Sequence, residues 1–329
     1  MSSDNIFEIQ HLKKYFPAGE TGLIGEGEAD EYVKAVDDVS FSIKKGEVLC
    51  LVGESGSGKT TTARLVIRLE TPTDGQILFK DQDITFYSRR MLRTFRKHFQ
   101  MIFQNPYDSL NPRLTIYEII KEPLDVNKTL VTEDPVFMIA KALKEVGLVP
   151  VTDFFDRYPH ELSGGQRQRV SIARSLILGP EFIVADEPAS MLDASTRIEI
   201  LNLLKHLRET RNMGILFITH DLAQARYLGH RIAILYLGRI IEIGETEQII
   251  SDPQHPYTKA LISNIPVPDP EAQRERIEIE GEIPSALNLP TGCRFHPRCP
   301  FAFERCTNEE PILRLKKGRL CACWLEEED

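Results

Sequence analysis

A glycine-rich run around one lysine, Gly53-Glu54-Ser55-Gly56-Ser57-Gly58-Lys59-Thr60, matches the pattern of a phosphate-binding loop. Glycines allow unusual backbone angles, so consecutive N–H groups can converge on phosphate oxygens. In such loops the lysine reaches the β- and γ-phosphates, and the hydroxyl of the next residue binds Mg²⁺. An apolar strand before the run and helical spacing after it argue against a chance glycine-rich turn. The run therefore predicts a nucleotide site made of Gly53, Ser55, Gly56, Ser57, Gly58, Lys59, Thr60 and Thr61.

Two acids follow a second apolar run, which spans Phe182 to Ala185. A buried strand of this kind places Asp186 and Glu187 at its carboxyl end, where α/β sheets hold ligands. Asp186 is predicted to support Mg²⁺, and Glu187 to act as the general base towards the attacking water. Taken alone, two acids after a strand also fit a solvated turn, so this prediction depends on its neighbours.

The pentapeptide Leu162-Ser163-Gly164-Gly165-Gln166 precedes a predicted helix. Small residues that open a helix leave N–H groups and the positive end of the helix dipole available to an anion. The same residues also make an ordinary helix N-cap. Between a phosphate loop and an acidic strand, however, the pentapeptide resembles the signature of the ATP-binding cassette (ABC) ATPases.

This resemblance implies an ATPase that uses ATP and Mg²⁺ and works as a dimer. In that family the signature contacts the ATP held by the other subunit, which assigns a trans contact to Ser163, Gly164, Gly165, Gln166 and Asp193. Gln104 matches the glutamine that senses Mg²⁺ and water, and His220 matches the histidine that contacts the γ-phosphate. The implied catalytic residues are Glu187, His220 and Gln104, and the implied Mg²⁺ residues are Thr60, Gln104 and Asp186. An aromatic residue at the end of the first strand should stack on adenine, and alignment of Tyr15-Phe16 favours Phe16.

Five of the six cysteines lie between Cys293 and Cys323. In a reducing compartment such a group is more often a metal or iron–sulfur site than a set of disulfides. Gly292 to Pro300 and His255 to Leu261 resemble the ATPase subunits of oligopeptide and dipeptide importers. Phe103 to Tyr107 and Ser109 to Arg113 resemble the F-type subunit more than its D-type partner. The resemblance implies a [4Fe–4S] cluster, with Zn²⁺ as the alternative. The ligands would be Cys293, Cys299, Cys306 and Cys323, with Cys321 as an alternative fourth ligand.

The elements around these motifs alternate between strand and helix. Period-two alternation predicts strands at 7–12 and 33–43, and short apolar runs predict strands at 47–52, 99–103, 182–185 and 214–219. Helical spacing follows at 60–69, 114–147, 166–178 and 196–210, and a hairpin is predicted around Leu237-Gly238. The fold class is therefore α/β: a P-loop cassette with a mostly parallel core sheet, an antiparallel β subdomain and a helical subdomain.

Composition bounds the partners. A net charge of −9 argues against nucleic acid as the main partner. No apolar run approaches the roughly 20 residues that a membrane-spanning helix needs, and the N-terminus lacks the pattern of a secretory signal. The chain is therefore predicted to lie in the cytosol and to reach the membrane through a partner.

Together these features predict a nucleotide-binding domain over 1–265, with a helical subdomain at about 105–178, and a small cysteine-rich appendage over 266–329. The predicted role is the ATPase of a peptide importer at the cytoplasmic face of the inner membrane. Its partners would be a D-type ATPase subunit, two polytopic permease subunits and an extracytoplasmic solute-binding protein. Importers of oligosaccharides or nickel, a repair or translation ATPase, and a metal-centre redox or assembly ATPase are the alternatives.

Overall fold

The computed structural model describes residues 4–18, 31–127, 133–264, 277 and 279–325. Contacts between Cα atoms divide the chain into two compact units. The first contains residues 1–43, 48–86 and 218–329, and the second contains residues 44–47 and 87–217. The domain boundary predicted at residue 265 lies outside the described residues.

Strands and helices alternate along the chain. The strands are β1 (Asn5–Pro17), β2 (Tyr32–Lys44), β3 (Val48–Val52), β4 (Asp74–Phe79), β5 (Gln82–Asp83), β6 (Phe99–Ile102), β7 (Phe182–Asp186), β8 (Gly214–Thr219), β9 (Arg231–Tyr236), β10 (Arg239–Glu245), β11 (Arg314–Lys316) and β12 (Arg319–Cys321). The helices are α1 (Lys59–Val66), α2 (Arg89–Phe95), α3 (Pro106–Ser109), α4 (Ile116–Val126), α5 (Pro135–Glu145), α6 (Thr152–Phe155), α7 (Gly164–Leu176), α8 (Ala194–Arg211), α9 (Leu222–Leu228), α10 (Thr246–Ser251), α11 (Pro256–Ser263) and α12 (Glu304–Asn308).

The first unit contains an antiparallel sheet in the order β2-β1-β4-β5. Strand β1 continues to Pro17, beyond its predicted end at Leu12, because its second half pairs with the start of β4. Lys13 lies opposite Asp74 in this pairing, and their side chains form an ion pair of 2.9 Å. The pairing shifts register between Gln10 and Lys13, which is typical of a β-bulge.

A second set of strands in the first unit carries the phosphate loop. Its order is β11-β12-β10-β9-β3, and β3 runs parallel to β9. All five residues of β3 are buried, as a strand covered on both faces requires. The predicted hairpin at Leu237-Gly238 joins the antiparallel strands β9 and β10, and both turn residues have positive φ. Only a few turn types accept this backbone, and they suit a two-residue hairpin.

The C-terminal tail, which is the appendage predicted over 266–329, belongs to the first unit and extends its sheet. The sequence predicts a small cysteine-rich appendage folded around a metal or iron–sulfur site. The structure instead adds a hairpin of β11 and β12 to strand β10. In the β10–β12 pairing, Cys321 lies opposite Glu242. The backbone groups along β10 need hydrogen-bond partners, and β12 supplies them on the side away from β9.

The second unit combines the β8-β7-β6 strands with most of the helices. Strands β6 and β7 pair in parallel, from Phe99 opposite Phe182 to Ile102 opposite Ala185. Helices α4 and α5 pack on α7, and the helical stretch predicted over 114–147 is confirmed as these two helices. Thr115 and Glu118 form a reciprocal capping box at the start of α4, which satisfies N–H groups that a helix end leaves unpaired.

Within the described residues, no helix is long and apolar enough to cross a membrane.

Candidate nucleotide-binding site

The phosphate loop joins β3 to α1 in the first unit, in the strand–loop–helix context that its sequence predicts. The Lys59 ammonium donates to the carbonyl oxygens of Gly53 and Glu54, both at 2.8 Å, and so lies folded over the loop. Helix α1 begins after Gly58 without a side-chain cap. Its first N–H groups and the positive end of its dipole are thus directed into the loop.

Two loop glycines are required by close approach. A Cβ on Gly58 would clash with the carbonyl oxygen of Ala35, and the φ of Gly58 is +101°, which L side chains rarely adopt. A Cβ on Gly53 would clash with the carbonyl oxygen of Leu235. The loop therefore packs directly on the backbone of β2 and β9.

The loop also has the features of an anion cradle. Gly56 has a φ of +78°, and a Cβ there would meet nothing within 4 Å. The Ser57 hydroxyl is buried and lacks a hydrogen-bond partner among the described residues. A buried polar atom without a partner is costly unless a ligand or water satisfies it. An open glycine-lined concavity with an unsatisfied hydroxyl and an uncapped helix fits the phosphates of a nucleotide.

In the second unit, Glu187 follows the last residue of β7 and adopts a φ of +44°. This left-handed conformation is strained for a residue with a side chain, and such strain persists where the surroundings hold it. The Gln104 amide donates to Glu187 Oε2 at 3.0 Å, although 83 residues separate them. Asp186, immediately before, is buried at the end of the strand. The structure thus brings the predicted base and the predicted glutamine into contact.

The signature pentapeptide opens helix α7. The Ser163 hydroxyl accepts from the N–H of Gln166 (3.2 Å), and the Gln166 amide oxygen accepts from the N–H of Ser163 (3.0 Å). This is the capping box that an ordinary N-cap would have. Close packing also favours glycine in this motif, because a Cβ on Gly165 would clash with the Thr196 methyl group of α8.

Asp193 is the N-cap of α8 in the second unit, and His220 directly precedes the N-cap of α9 in the first unit. Asp193 caps α8 and accepts from the N–H of Thr196 at 3.0 Å and from the hydroxyls of Ser195 and Thr196. These hydrogen bonds lower the pKa of the Asp193 carboxyl well below its ordinary value. His220 is exposed between β8 and α9.

Phe16 lies near the end of β1, and the Lys14 ammonium is 4.8 Å from the centroid of its ring. Tyr15, the other aromatic residue considered for adenine, donates its hydroxyl to Asp37 instead. The adenine contact of Phe16 stays a prediction.

Asp37 anchors the tail beside the phosphate loop, which the sequence did not predict. Arg294 of the tail is buried and bonds the Asp37 carboxylate, and its other guanidinium nitrogen donates to the carbonyl oxygen of Leu237. Arg294 belongs to the run Gly292 to Pro300 that resembles the importer ATPases, so the sequence marked the segment. Nothing in the sequence indicated the partner of Arg294.

Four tail thiols influence one another. Burial, together with negative charge on Cys323, Cys306 and Cys299, raises the pKa of Cys293 to about 12. Burial likewise raises the pKa of Cys299 to about 11, with additional effects from Cys323 and Cys306. Burial also raises the pKa of the Cys321 thiol, and negative charge on Glu242 and Cys323 adds to this effect.

The expected metal centre is not confirmed. Among the described residues, no three His, Cys, Asp or Glu side chains are grouped closely enough to hold a single metal ion. The six cysteines are all free thiols.

The phosphate loop lies between a parallel strand and an uncapped helix, and a second buried strand ends in acidic residues. These features define a P-loop nucleotide-binding protein. The ABC transporter family matches residues 36–190, and the family described as "Oligopeptide/dipeptide transporter, C-terminal region" matches residues 241–306.

Curated relatives match almost the whole chain. The oligopeptide transport ATP-binding protein AppF of Bacillus subtilis is 48% identical over 98% of this chain and 98% of its own length. The putative oligopeptide transport ATP-binding protein YkfD of the same organism is 46% identical over 97% and 95%. The chain therefore belongs to the ATP-binding proteins of the ABC transporter family, in its oligopeptide/dipeptide group. It is an ATP-hydrolysing subunit of an importer.

Solved structures agree. The dimeric structure of the bacterial ABC transporter cassette MJ0796 superposes with a TM-score of 0.64 at 30% identity, over 73% of this chain and 98% of that one. A second similar structure, cbiO1 of Clostridium perfringens, has a TM-score of 0.63 at 24% identity over 76% of this chain and 92% of that one, which supports the fold alone.

Proposed function

We propose that this chain drives the uptake of oligopeptides or dipeptides through membrane permease subunits. The observation that carries the proposal is the C-terminal match over residues 241–306, together with relatives whose names specify oligopeptide transport. Oligosaccharide and nickel importers are not favoured by these relatives. A repair or translation ATPase, or a redox-assembly ATPase, is not favoured by them either.

Uptake of labelled peptides tests this function. Cells lacking the chain should lose uptake of a labelled tri- or tetrapeptide, and the wild-type chain should restore it. The Lys59→Ala variant is the matched negative control, because it removes the ammonium that contacts phosphate. Restored uptake of labelled oligosaccharide or nickel, with peptide uptake unaffected throughout, would contradict the peptide assignment.

The catalytic roles are part of the proposal. Lys59, Thr60 and the loop N–H groups bind the phosphates of ATP, with Gly53, Ser55, Gly56, Ser57, Gly58 and Thr61 completing the loop. Thr60, Gln104 and Asp186 bind Mg²⁺, Glu187 polarises the attacking water, and His220 contacts the γ-phosphate. The 3.0 Å bond between Gln104 and Glu187 supports this assignment, because it links the metal-sensing amide to the base.

The partners are a second ATPase subunit of the D-type, two polytopic permease subunits and an extracytoplasmic solute-binding protein. The chain acts at the cytoplasmic face of the inner membrane, held there by the permease. Ser163, Gly164, Gly165, Gln166 and Asp193 contact the ATP of the second ATPase subunit. The dimeric state named for the similar MJ0796 cassette supports this pairing.

Cys293, Cys299, Cys306 and Cys323 hold a [4Fe–4S] cluster, and Zn²⁺ is the alternative. Zn²⁺ places four sulfurs at about 2.3 Å from one centre, whereas each thiolate of a cluster binds its own iron. Cys321 lies on β12, opposite Glu242 of β10, and this position supports Cys323 as the fourth ligand. Anaerobically purified protein should absorb near 400 nm, and colourless protein with stoichiometric zinc would contradict the cluster.

A further inference from the structure

Two arginines of the tail flank the buried ring of Phe295. Arg294 and Arg298 lie in the run between Cys293 and Cys299, around the short 3-10 turn His296–Arg298. Phe295 is 1% exposed, and its ring packs edge-on against Tyr236 and Tyr257, each at 5.4 Å between centroids. The packing of Phe295 fixes the position of both arginines on the first unit.

Arg298 reaches the phosphate loop. Its Nη1 donates to Glu54 Oε2 at 3.0 Å and lies 3.4 Å from the Tyr236 hydroxyl. Glu54 is the first variable residue of the loop, and its carbonyl oxygen accepts from the Lys59 ammonium. The N–H of Glu54 donates to the Tyr257 hydroxyl at 3.0 Å. Both the side chain and the backbone of Glu54 are therefore held from the C-terminal part of the chain.

The charge on Glu54 needs compensation. A carboxylate beside a phosphate cradle repels a polyanionic ligand, and the repulsion weakens little with salt when the groups are partly buried. Glu54 is one-quarter exposed and Arg298 is 9% exposed, so this pair is shielded from solvent. Lys59, the other cation near Glu54, is needed for the phosphates themselves.

We propose that Arg298 is a positioning residue for ATP binding, which neutralises and holds Glu54 so that the phosphate loop accepts the triphosphate. The tail is then part of the nucleotide site through one ion pair. This proposal rests on the proposed role of the loop as the ATP site.

The test is a double-mutant cycle on the full-length chain, read as the Kd of a fluorescent ATP analogue with Mg²⁺. Arg298→Gln should weaken binding by roughly tenfold, because it leaves the Glu54 carboxylate uncompensated. The double variant Glu54→Gln/Arg298→Gln should return to within about threefold of the wild type, because the two sites are directly coupled. Glu54→Gln completes the cycle, and Arg298→Lys should restore most of the affinity.

Arg319→Gln is the matched control. Arg319 is also a buried arginine of the tail and also bonds a carboxylate, that of Asp252 at 2.9 Å. Its bonds to Asp252 and Gln248 do not involve the phosphate loop. Its loss should leave the Kd within about twofold of the wild type, since distant sites rarely couple.

A second variant covers the case in which Arg298→Gln does not fold. Arg298→His should bind the analogue less well, relative to the wild type, at pH 8 than at pH 6, because imidazole loses its charge in this range.

The outcomes separate the two proposals. Wild-type affinity in Arg298→Gln, or a double variant as weak as Arg298→Gln, would overturn the role of Arg298 alone. An equal loss in Arg319→Gln would overturn it too, because the effect would then come from loosening of the tail. Failure of the wild-type chain to bind nucleotide would overturn the proposed ATP site itself.

Discussion

At the scale of the residue, Glu187 combines a left-handed backbone with a hydrogen bond from Gln104 at 3.0 Å. A general base, the role proposed for Glu187, typically contributes 10²- to 10⁴-fold to a rate. Its position directly after β7 places it at the carboxyl end of a buried strand, where ligands of α/β sheets bind.

Glu187→Gln should therefore lower ATP hydrolysis by roughly 10²- to 10⁴-fold while leaving ATP affinity near that of the wild type. The amide keeps the size of the side chain but cannot accept a proton from water. Single-turnover hydrolysis and nucleotide titration measure the two quantities. Glu199→Gln, an exposed partner of Arg169 in the same unit, is the control and should hydrolyse normally. An unchanged rate in Glu187→Gln would show that another group is the base.

His255 links stability to pH. It is buried at the start of α11, where its Nδ1 accepts from the N–H of Tyr257 at 3.1 Å. Burial, with a smaller effect from the charges of Lys316 and Lys259, lowers the pKa of His255 from its ordinary value of 6.5 to about 3. The folded chain therefore keeps His255 neutral at pH values where the unfolded chain protonates it.

The contribution of His255 is complete above pH 6.5 and is lost as the pH falls towards 3, because only the unfolded state gains the proton. The slope is at most about 1.4 kcal/mol per pH unit. In urea unfolding at pH 8, 7, 6 and 5, the free energy of unfolding should fall more steeply with decreasing pH for the wild type than for His255→Asn. The difference in free energy of unfolding between the two proteins should be constant between pH 7 and 8, which is the internal control. Parallel curves down to pH 5 would contradict the assignment.

Residue types and spacing predicted Lys59, Thr60, Asp186 and Glu187, because phosphate and metal chemistry requires those groups in a particular order along the chain. The ion pair of Arg294 with Asp37 was not predictable in this way, because 257 residues separate the partners. An exposed arginine and one that anchors the tail look alike in a sequence.

At the scale of the element, two glycines separate the cost of a left-handed backbone from the cost of a steric clash with a neighbouring strand. Gly75, the second residue of β4, has a φ of +96°, and a Cβ there would clash with the backbone of His11 and Leu12 in β1. Gly318, in the turn between β11 and β12, has a similar φ of +82° but meets only the far end of the Gln248 side chain, at 3.8 Å.

Gly75→Ala should therefore destabilise the chain more than Gly318→Ala. The backbone strain of a left-handed residue costs roughly 1–2 kcal/mol at either position. Only Gly75→Ala adds a clash with backbone atoms that cannot turn away, so its unfolding free energy should fall by clearly more. Chemical denaturation of both variants measures the difference, and equal losses would show that β1 and β4 can separate without cost.

Element types followed from the sequence because apolar periodicity distinguishes a buried strand from a helix. The continuation of β1 to Pro17 and the addition of β12 to β10 did not follow. Both depend on a partner strand that is far away in the sequence, and pairing overrides the local pattern.

At the scale of the whole molecule, the signature and the phosphate loop of one chain are proposed to serve different ATP molecules. The Glu187→Gln chain should therefore double its mass when ATP and Mg²⁺ are added, by pairing with a D-type subunit or with a second copy. Light scattering during size exclusion measures the mass, and mass spectrometry of the peak identifies the partner.

The added substitution Ser163→Arg should abolish this association. Ser163 caps α7 at the position proposed to face the other subunit's ATP, and an arginine would obstruct it. Nucleotide binding by the chain's own loop should persist, which separates loss of pairing from loss of binding. An ATP-dependent dimer that still forms with Ser163→Arg would show that the signature does not lie at the interface.

The sequence by itself determined the class of the protein. The phosphate loop, the signature, the acidic strand end and the cysteine-rich tail are local patterns, and the chemistry of each requires its residues to be close along the chain. Tertiary structure alone decided that Gln104 contacts Glu187, that the tail joins the sheet through β10, and that Arg298 holds Glu54 of the phosphate loop. These contacts join residues far apart in sequence, and their formation depends on how strands pair and side chains pack, which no local pattern records.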